Sequence, residues 1–156
     1  MTVFLGLGSN RTYGNLSCNQ LLEKAIEGIG SFSTVLSVSS VYKSAAMYVT
    51  DQEDFHNMVV KIEYEGSPES LLEKTQAVEA SLGRDRSMEI RFGPRSMDID
   101  IEIFGDLKVK TPDLVIPHER ICERAFVLKP LLEILNKDAT IPAVLRKKEK
   151  ICIYLL

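Results

Sequence analysis

Met97-Asp98-Ile99-Asp100-Ile101-Glu102-Ile103-Phe104 alternates strictly in side-chain character. Successive residues of a strand project to opposite faces. The stretch therefore reads as a strand with Met97, Ile99, Ile101 and Ile103 on one face and Asp98, Asp100, Glu102 and Phe104 on the other. Beyond it, Gly105-Asp106 turns the chain and Lys108-Val109 is expected to pair back. Toward the N-terminus, Thr2–Leu7 is a short apolar run ending at Gly8, which predicts a buried strand. Between Leu16 and Ile29, Leu21, Leu22, Ala25, Ile26 and Ile29 recur at helical spacing, and Gly30 supplies a stop. Thr34–Tyr42 is rich in β-branched residues and predicts a second strand; Phe55–Tyr64 predicts a third. Ser67-Pro68-Glu69 is a helix start, with Ser as N-cap and Pro at the first helical position. Leu71, Leu72, Thr75, Val78 and Leu82 carry that helix to Gly83. The order from Thr2 to Phe104 is β-α-β-β-α-β, the ferredoxin-like split arrangement. An α+β sandwich follows, with two helices on one face of an antiparallel sheet and the other face free for a site. Val127–Leu135 predicts a C-terminal helical extension, and Ile151–Leu156 a last strand or a tucked tail.

The chain has 156 residues, of which 45% are hydrophobic and 26% charged, with a formal charge of −3. That length fits one domain, 1–156, able to bury its own core. The composition argues against disorder, and the slight acidity argues against a nucleic-acid or anionic-membrane partner. Cys18, Cys122 and Cys152 form neither a CxxC metal site nor a disulfide framework, and His56 and His118 are too far apart for an HExxH pair. No apolar run is long enough to span a bilayer, and the first residues lack a signal peptide's basic and apolar regions. A cytoplasmic monomer is expected.

Asp98 and Asp100 stand on one face of a strand, roughly 7 Å apart. Hard cations such as Mg²⁺ take oxygen ligands and are often held by one or two carboxylates plus substrate phosphates. The loop leading into the strand, Gly83–Ser96, holds Arg84, Arg86, Arg91 and Arg95. Arginine is the side chain for bidentate phosphate recognition. A cationic loop entering a two-carboxylate strand has the parts for a nucleotide phosphate–Mg²⁺ complex. A solvated strand face beside a surface loop is the plainer alternative. Gly6-Leu7-Gly8-Ser9-Asn10 lacks the third glycine of a dinucleotide fingerprint, and no GxxxxGK[ST] loop occurs. The long segment Lys43–Asp54 breaks the strand pattern and reads as a loop of a length that is usually functional or mobile.

Arg91-Phe92-Gly93-Pro94-Arg95-Ser96-Met97-Asp98-Ile99-Asp100 resembles the signature segment of the 6-hydroxymethyl-7,8-dihydropterin pyrophosphokinase family of folate biosynthesis. Gly8-Ser9-Asn10, Val38–Tyr42, Asp51–Asn57, Gln76–Glu79, Gly83–Arg86, Ile116–His118 and Arg124–Phe126 match the family in order and spacing, over about residues 2–135. The resemblance implies Mg²⁺-dependent transfer of diphosphate from ATP to the hydroxymethyl group of the dihydropterin, with AMP released. It implies two Mg²⁺ ions on Asp98 and Asp100, and catalytic roles for Arg86 and Arg95 on a closing loop. It implies a pterin stacked between Phe55 and Phe126, read by Asn57 and lined by Ser44, Ala45 and Met47. For ATP it implies Gln76, Glu79, Arg84 and Arg91, together with Ile101, His118 and Arg124. Ser44-Ala45-Ala46-Met47 stands where the family usually carries prolines, and Phe55 where Tyr is common. A non-catalytic nucleotide sensor on the same fold would share the ATP site but make no AMP. An RNA-binding sheet would need exposed aromatics where this strand carries three acids.

Overall fold

The strand Thr2–Ser9 (β1) sends Val3, Leu5 and Leu7 into one core, while Phe4 enters another. The division extends across the sheet in this computed structural model, which describes residues 1–46, 51–91 and 93–138. Thr34–Val38 (β2), Tyr42–Ser44 (β3), Phe55–Glu63 (β4) and Asp98–Phe104 (β5) join β1 in one sheet of order β2-β4-β1-β5, with β3 also on β4. All of these pairings are antiparallel. Cys18–Gly30 (α1) and Pro68–Ser81 (α2) pack their apolar stripes on Val3, Leu5, Leu7, Met58, Val60 and Ile62. Each helix begins as its sequence prescribes. Gln20 N donates to Ser17 Oγ (3.3 Å) while Ser17 N donates to Gln20 Oε1 (2.9 Å), a reciprocal cap. Ser67 Oγ accepts from Ser70 N (3.2 Å) one residue before Pro68. The chain leaves α2 at Gly83, whose φ is +87° and whose α-carbon lies against the Tyr13 ring, so a side chain there meets both strain and a clash.

The opposite face is not free, contrary to the sequence expectation. Ala125–Asp138 (α3) covers half of it. Val127, Leu131, Ile134 and Leu135 of α3 pack on Phe4, Val59 and Ile103. Glu133 fastens α3 to β3 and the segment before it, accepting from Ser40 N (3.1 Å) and from the Tyr42 hydroxyl (2.8 Å). Apolar residues fill one half of this face. In the other half Gly6 and Gly8 take the alternate positions of β1, and the sheet stays open there.

Two local departures from the sequence reading have physical causes. The strand expected over Thr34–Tyr42 breaks into β2 and β3. Val35 pairs Ile62 while Ser37 pairs Lys61, so Leu36 is an extra residue in the ladder. Ser39 then replaces a ladder bond with its side chain: Val59 N donates to Ser39 Oγ (2.9 Å). In β5 the strict alternation fails after Ile101. Leu5 pairs Ile101 and Phe4 pairs Ile103, leaving Glu102 as the bulged residue. Ile103 therefore turns to the α3 side and Phe104 joins the core under α1 and α2, the reverse of the expectation. Lys108-Val109 was expected to pair back on the strand; instead Val109–Lys110 (β6) pairs Val115–Ile116 (β7) in a separate small ribbon. Ile151–Leu156 and Met47 lie outside the described residues. No helix among those described is long and apolar enough to cross a membrane.

Candidate functional site

The open half of the sheet forms the floor of a cleft. Gly8 of β1 pairs Asn57 of β4 on one side and Asp98 of β5 on the other. Asp100 lies opposite Gly6. Because both β1 positions are glycine, nothing rises from the central strand between the polar residues of its neighbours. Ser44, Ala45, Phe55, Asn57 and Phe126 line this cleft with Arg95, Asp98, Asp100 and Arg124. It thus gathers the described residues expected at the pterin and both expected metal-binding carboxylates. Asn57 is buried, and its Nδ2 donates to Ser44 Oγ (2.8 Å), which fixes the amide. The Arg124 guanidinium lies 5.7 Å from the centre of the Phe126 ring and donates to Asp100 Oδ2 (2.9 Å).

The carboxylates sit in a lattice of arginines. Asp98 accepts from Arg95 Nη1 at 3.0 Å and from Arg84 Nη1. Arg84 is buried and also donates to Glu79 (2.7 Å) and Glu89 (3.0 Å). Burial opposes the charge of Asp98, but Arg95 and Arg84 outweigh it and hold the carboxyl below its usual range. Asp100 has less help. Burial and the neighbouring Asp98 charge push it up to about 6 against the pull of Arg124. Glu79 is buried, and burial raises its pKa; its oxygens accept from Arg84, from Arg86 and from the β5 amide of Ile99 (2.7 Å). As the protein stands, Glu79 and Arg84 latch the Gly83–Ser96 loop to β5. Gln76, Glu79, Arg84 and Arg86 line a second recess with Tyr13 and Asp85.

Three residues expected at ATP line neither hollow. The Ile101 side chain is buried in the core under α1 and α2. His118 donates its backbone N–H to Glu102 O (3.0 Å), and its Nδ1 accepts from Arg120 N (3.2 Å). Arg91 is exposed on the loop. Conversely, sequence reasoning missed Gln52, Met58, Glu102 and Val127, all in the main cleft. It also gave Asn10 no role. Asn10 is buried and its amide bonds in two directions. Its Nδ2 donates to Gln52 Oε1 (2.9 Å) and Glu53 O (3.0 Å), while its Oδ1 accepts from Arg95 N (2.9 Å). One side chain thus joins the segment before β4 to the arginine loop.

Residues 4–136 match the family described as 7,8-dihydro-6-hydroxymethylpterin-pyrophosphokinase (HPPK). The chain belongs to this family. HPPK relatives occur alone and within larger proteins. The 2-amino-4-hydroxy-6-hydroxymethyldihydropteridine pyrophosphokinase of Bacillus subtilis is 46% identical over 110 residues, covering 69% of this chain and 65% of its own. The folic acid synthesis protein fol1 of Pneumocystis carinii is 41% identical over 85% of this chain and 17% of its own. A bifunctional FolKE protein of Lactococcus lactis is 37% identical over 88% and 38% respectively. The chain therefore spans just under two thirds of the first of these relatives and much less of the other two.

Proposed function

We propose that this chain transfers diphosphate from ATP to 6-hydroxymethyl-7,8-dihydropterin, releasing AMP, as a single pyrophosphokinase domain of ferredoxin-like topology. Strand order and antiparallel pairing support the topology; the family match supports the reaction. The observation that carries the reading is the adjoining of two chemistries in one cleft. Two aromatic rings, Phe55 and Phe126, and a fixed amide at Asn57 line the same cleft as two carboxylates and their arginine partners. The aromatic end suits a planar, hydrogen-bonding ring, and the charged end suits a polyphosphate.

Asp98 and Asp100 fit Mg²⁺ by donor type: hard oxygens, partly open to the cleft at 26% and 34% exposure. The raised pKa of Asp100 is a second mark of fit, since the charge that Asp98 makes unwelcome there is the charge a cation neutralises. Two ions would be held by this pair, and when bound they would neutralise the phosphate oxygens around the transferring group. The arginines do the rest of the electrostatic work. In the reaction the pterin hydroxyl oxygen bonds to the β-phosphorus, the bond from that phosphorus to the α–β bridging oxygen breaks, and the hydroxyl proton is lost. Arg95 and Arg86 approach from the loop and cover charge developing on that group. Arg84 and Arg124, already paired with the carboxylates, exchange those partners for phosphate oxygens once the acids are otherwise neutralised. Phe55 and Phe126 orient the ring and exclude water from competing with its hydroxyl. ATP and the dihydropterin are the partners this reading needs, in a chain acting as a cytoplasmic monomer without nucleic acid or membrane.

The test is incubation with ATP, Mg²⁺ and the hydroxymethyldihydropterin, followed by separation of nucleotides. Pterin-dependent AMP is expected. Pterin-dependent ADP as the main product overturns the reading, and ATP binding without turnover favours a nucleotide sensor.

A further inference from the structure

Glu102 is the one acid of β5 without a partner. It is fully buried, and both of its carboxylate oxygens are shielded with no hydrogen bond among the described residues. Every other buried acid of the site is bonded: Glu79 holds two arginines and a backbone amide. Leaving a buried carboxyl unmatched is costly, more so than filling the place with an apolar side chain. Its position is built rather than incidental. The β5 bulge takes Glu102 out of the regular ladder, and its side chain leans across β1 over Gly6. A β-carbon on Gly6 would lie 2.8 Å from Glu102 Oε1 and 3.3 Å from its Cγ. Gly6 thus provides the space the carboxyl occupies, and both residues line the main cleft.

The one Arg124 bond to an acid of β5 goes to Asp100, and none reaches Glu102 among the described residues. The Asn57 amide nitrogen directs its donors to Ser44 Oγ (2.8 Å) and Phe55 O (3.5 Å). The wall of the cleft is left with a buried acceptor that no donor among the described residues meets. A dihydropterin presents an exocyclic amino group and ring N–H groups along its edge, a donor-rich array that a carboxyl matches. We propose that Glu102 is a specificity-determining residue of the cleft, accepting a hydrogen bond from the amino or ring N–H donors of the bound pterin. The proposal rests on the pyrophosphokinase reading and names a contact within that site. A site built to hydrogen-bond a substrate donor rejects an analogue lacking it strongly, because the buried acceptor is then left unpaired.

The test measures equilibrium binding, with Mg²⁺ and a non-hydrolysable ATP analogue present, of the dihydropterin and of the same ring without its exocyclic amino group. Wild type is compared with Glu102→Gln and Glu102→Leu. For Glu102→Leu we expect pterin affinity at least tenfold weaker, the ATP analogue held within twofold, the preference for the amino-bearing ring lost, and thermal stability raised as the orphan carboxyl is removed. Glu102→Gln keeps an acceptor and falls between the two. Unchanged affinity and preference in Glu102→Leu overturn the proposal and leave Glu102 a packing feature. Should Glu102→Leu fail to fold, Glu102→Met carries the same comparison with a more adaptable side chain. Failure of wild type to bind the pterin at all would instead count against the pyrophosphokinase reading.

Discussion

Asp100 has one guanidinium partner, Arg124, where Asp98 has two, Arg84 and Arg95. That difference separates two carboxyls of the same strand face, one held below its usual range and the other raised to about 6. The consequence for stability has a definite sign. A folded-state pKa above the unfolded value means that the folded protein keeps a proton the unfolded chain has lost. Stability contributed this way is complete below the ordinary aspartate range near 4 and is lost as pH rises through about 6. Asp100→Asn removes that slope. Relative to wild type, the metal-free variant should gain stability as pH rises from 4 to 6 and gain no more beyond it. The same variant should lose turnover by on the order of 100-fold or more, the scale on which loss of one charge-stabilising group slows such reactions. Denaturant midpoints across pH and single-turnover rates check both halves. A variant with near-normal turnover at millimolar Mg²⁺ would reduce the pair to a solvated strand face. A stability difference that does not change with pH would show that Asp100 titrates normally.

At the scale of elements, the site is held where β1 ends. Asn10 follows the last residue of β1 and grips both the segment entering β4 and the backbone of Arg95. Asn10→Ala would leave the amide of Arg95 and the carbonyl of Glu53 unmatched, at about 1–3 kcal/mol for a buried group. The expected outcome is faster hydrogen exchange at residues 51–55 and 93–96 together, with a fall in turnover exceeding any fall in ATP affinity. If only one of the two segments loses protection, Asn10 does not join them. None of this was readable beforehand, because Asn10 lies 85 residues from Arg95 and a turn residue announces no partner at that separation. What the chain did disclose was local. The period-two pattern gave β5, and the Ser-Pro start gave α2. The arginine loop with its two acids gave the charged end of the cleft, and the family resemblance named Phe55 and Phe126, which line the same cleft. The β5 bulge stayed hidden because it is a mismatch between two strands, visible only when Leu5 meets Ile101 and Phe4 meets Ile103. Ile101 shows the opposite: the alternation already set its side chain on the face away from the acids, and the structure buries it there, although the resemblance had named it for ATP.

The whole molecule is a sheet with two unlike coverings. α1 and α2 seal one face along its length, while α3 seals half of the other and leaves the site in the remainder. The α3 side therefore stabilises the fold and also bounds the cleft proposed to take the pterin, because Phe126 lies at its first turn and Arg124 just before it. The α1–α2 side bears on the aromatic end of the cleft only through the strands, and on the arginine loop directly through Glu79 of α2. Matched substitutions separate the two. Leu71 of α2 and Leu131 of α3 are 0% and 1% exposed, one on each side of the sheet. Truncating either to Ala removes the same atoms and is expected to destabilise by about 2–5 kcal/mol. At a temperature where both variants are fully folded, Leu131→Ala should bind the pterin several-fold more weakly, because a cavity beneath α3 lets its first turn shift against β4. Leu71→Ala should bind it as wild type does. Leu131→Ala should hold the ATP analogue normally, since the arginine loop is anchored through Glu79, Asp98 and Asn10 rather than through α3. Equal weakening of pterin binding in the two variants would mean that general stability sets that end of the cleft. Its absence in both would mean that Phe126 is positioned by contacts other than the packing of α3.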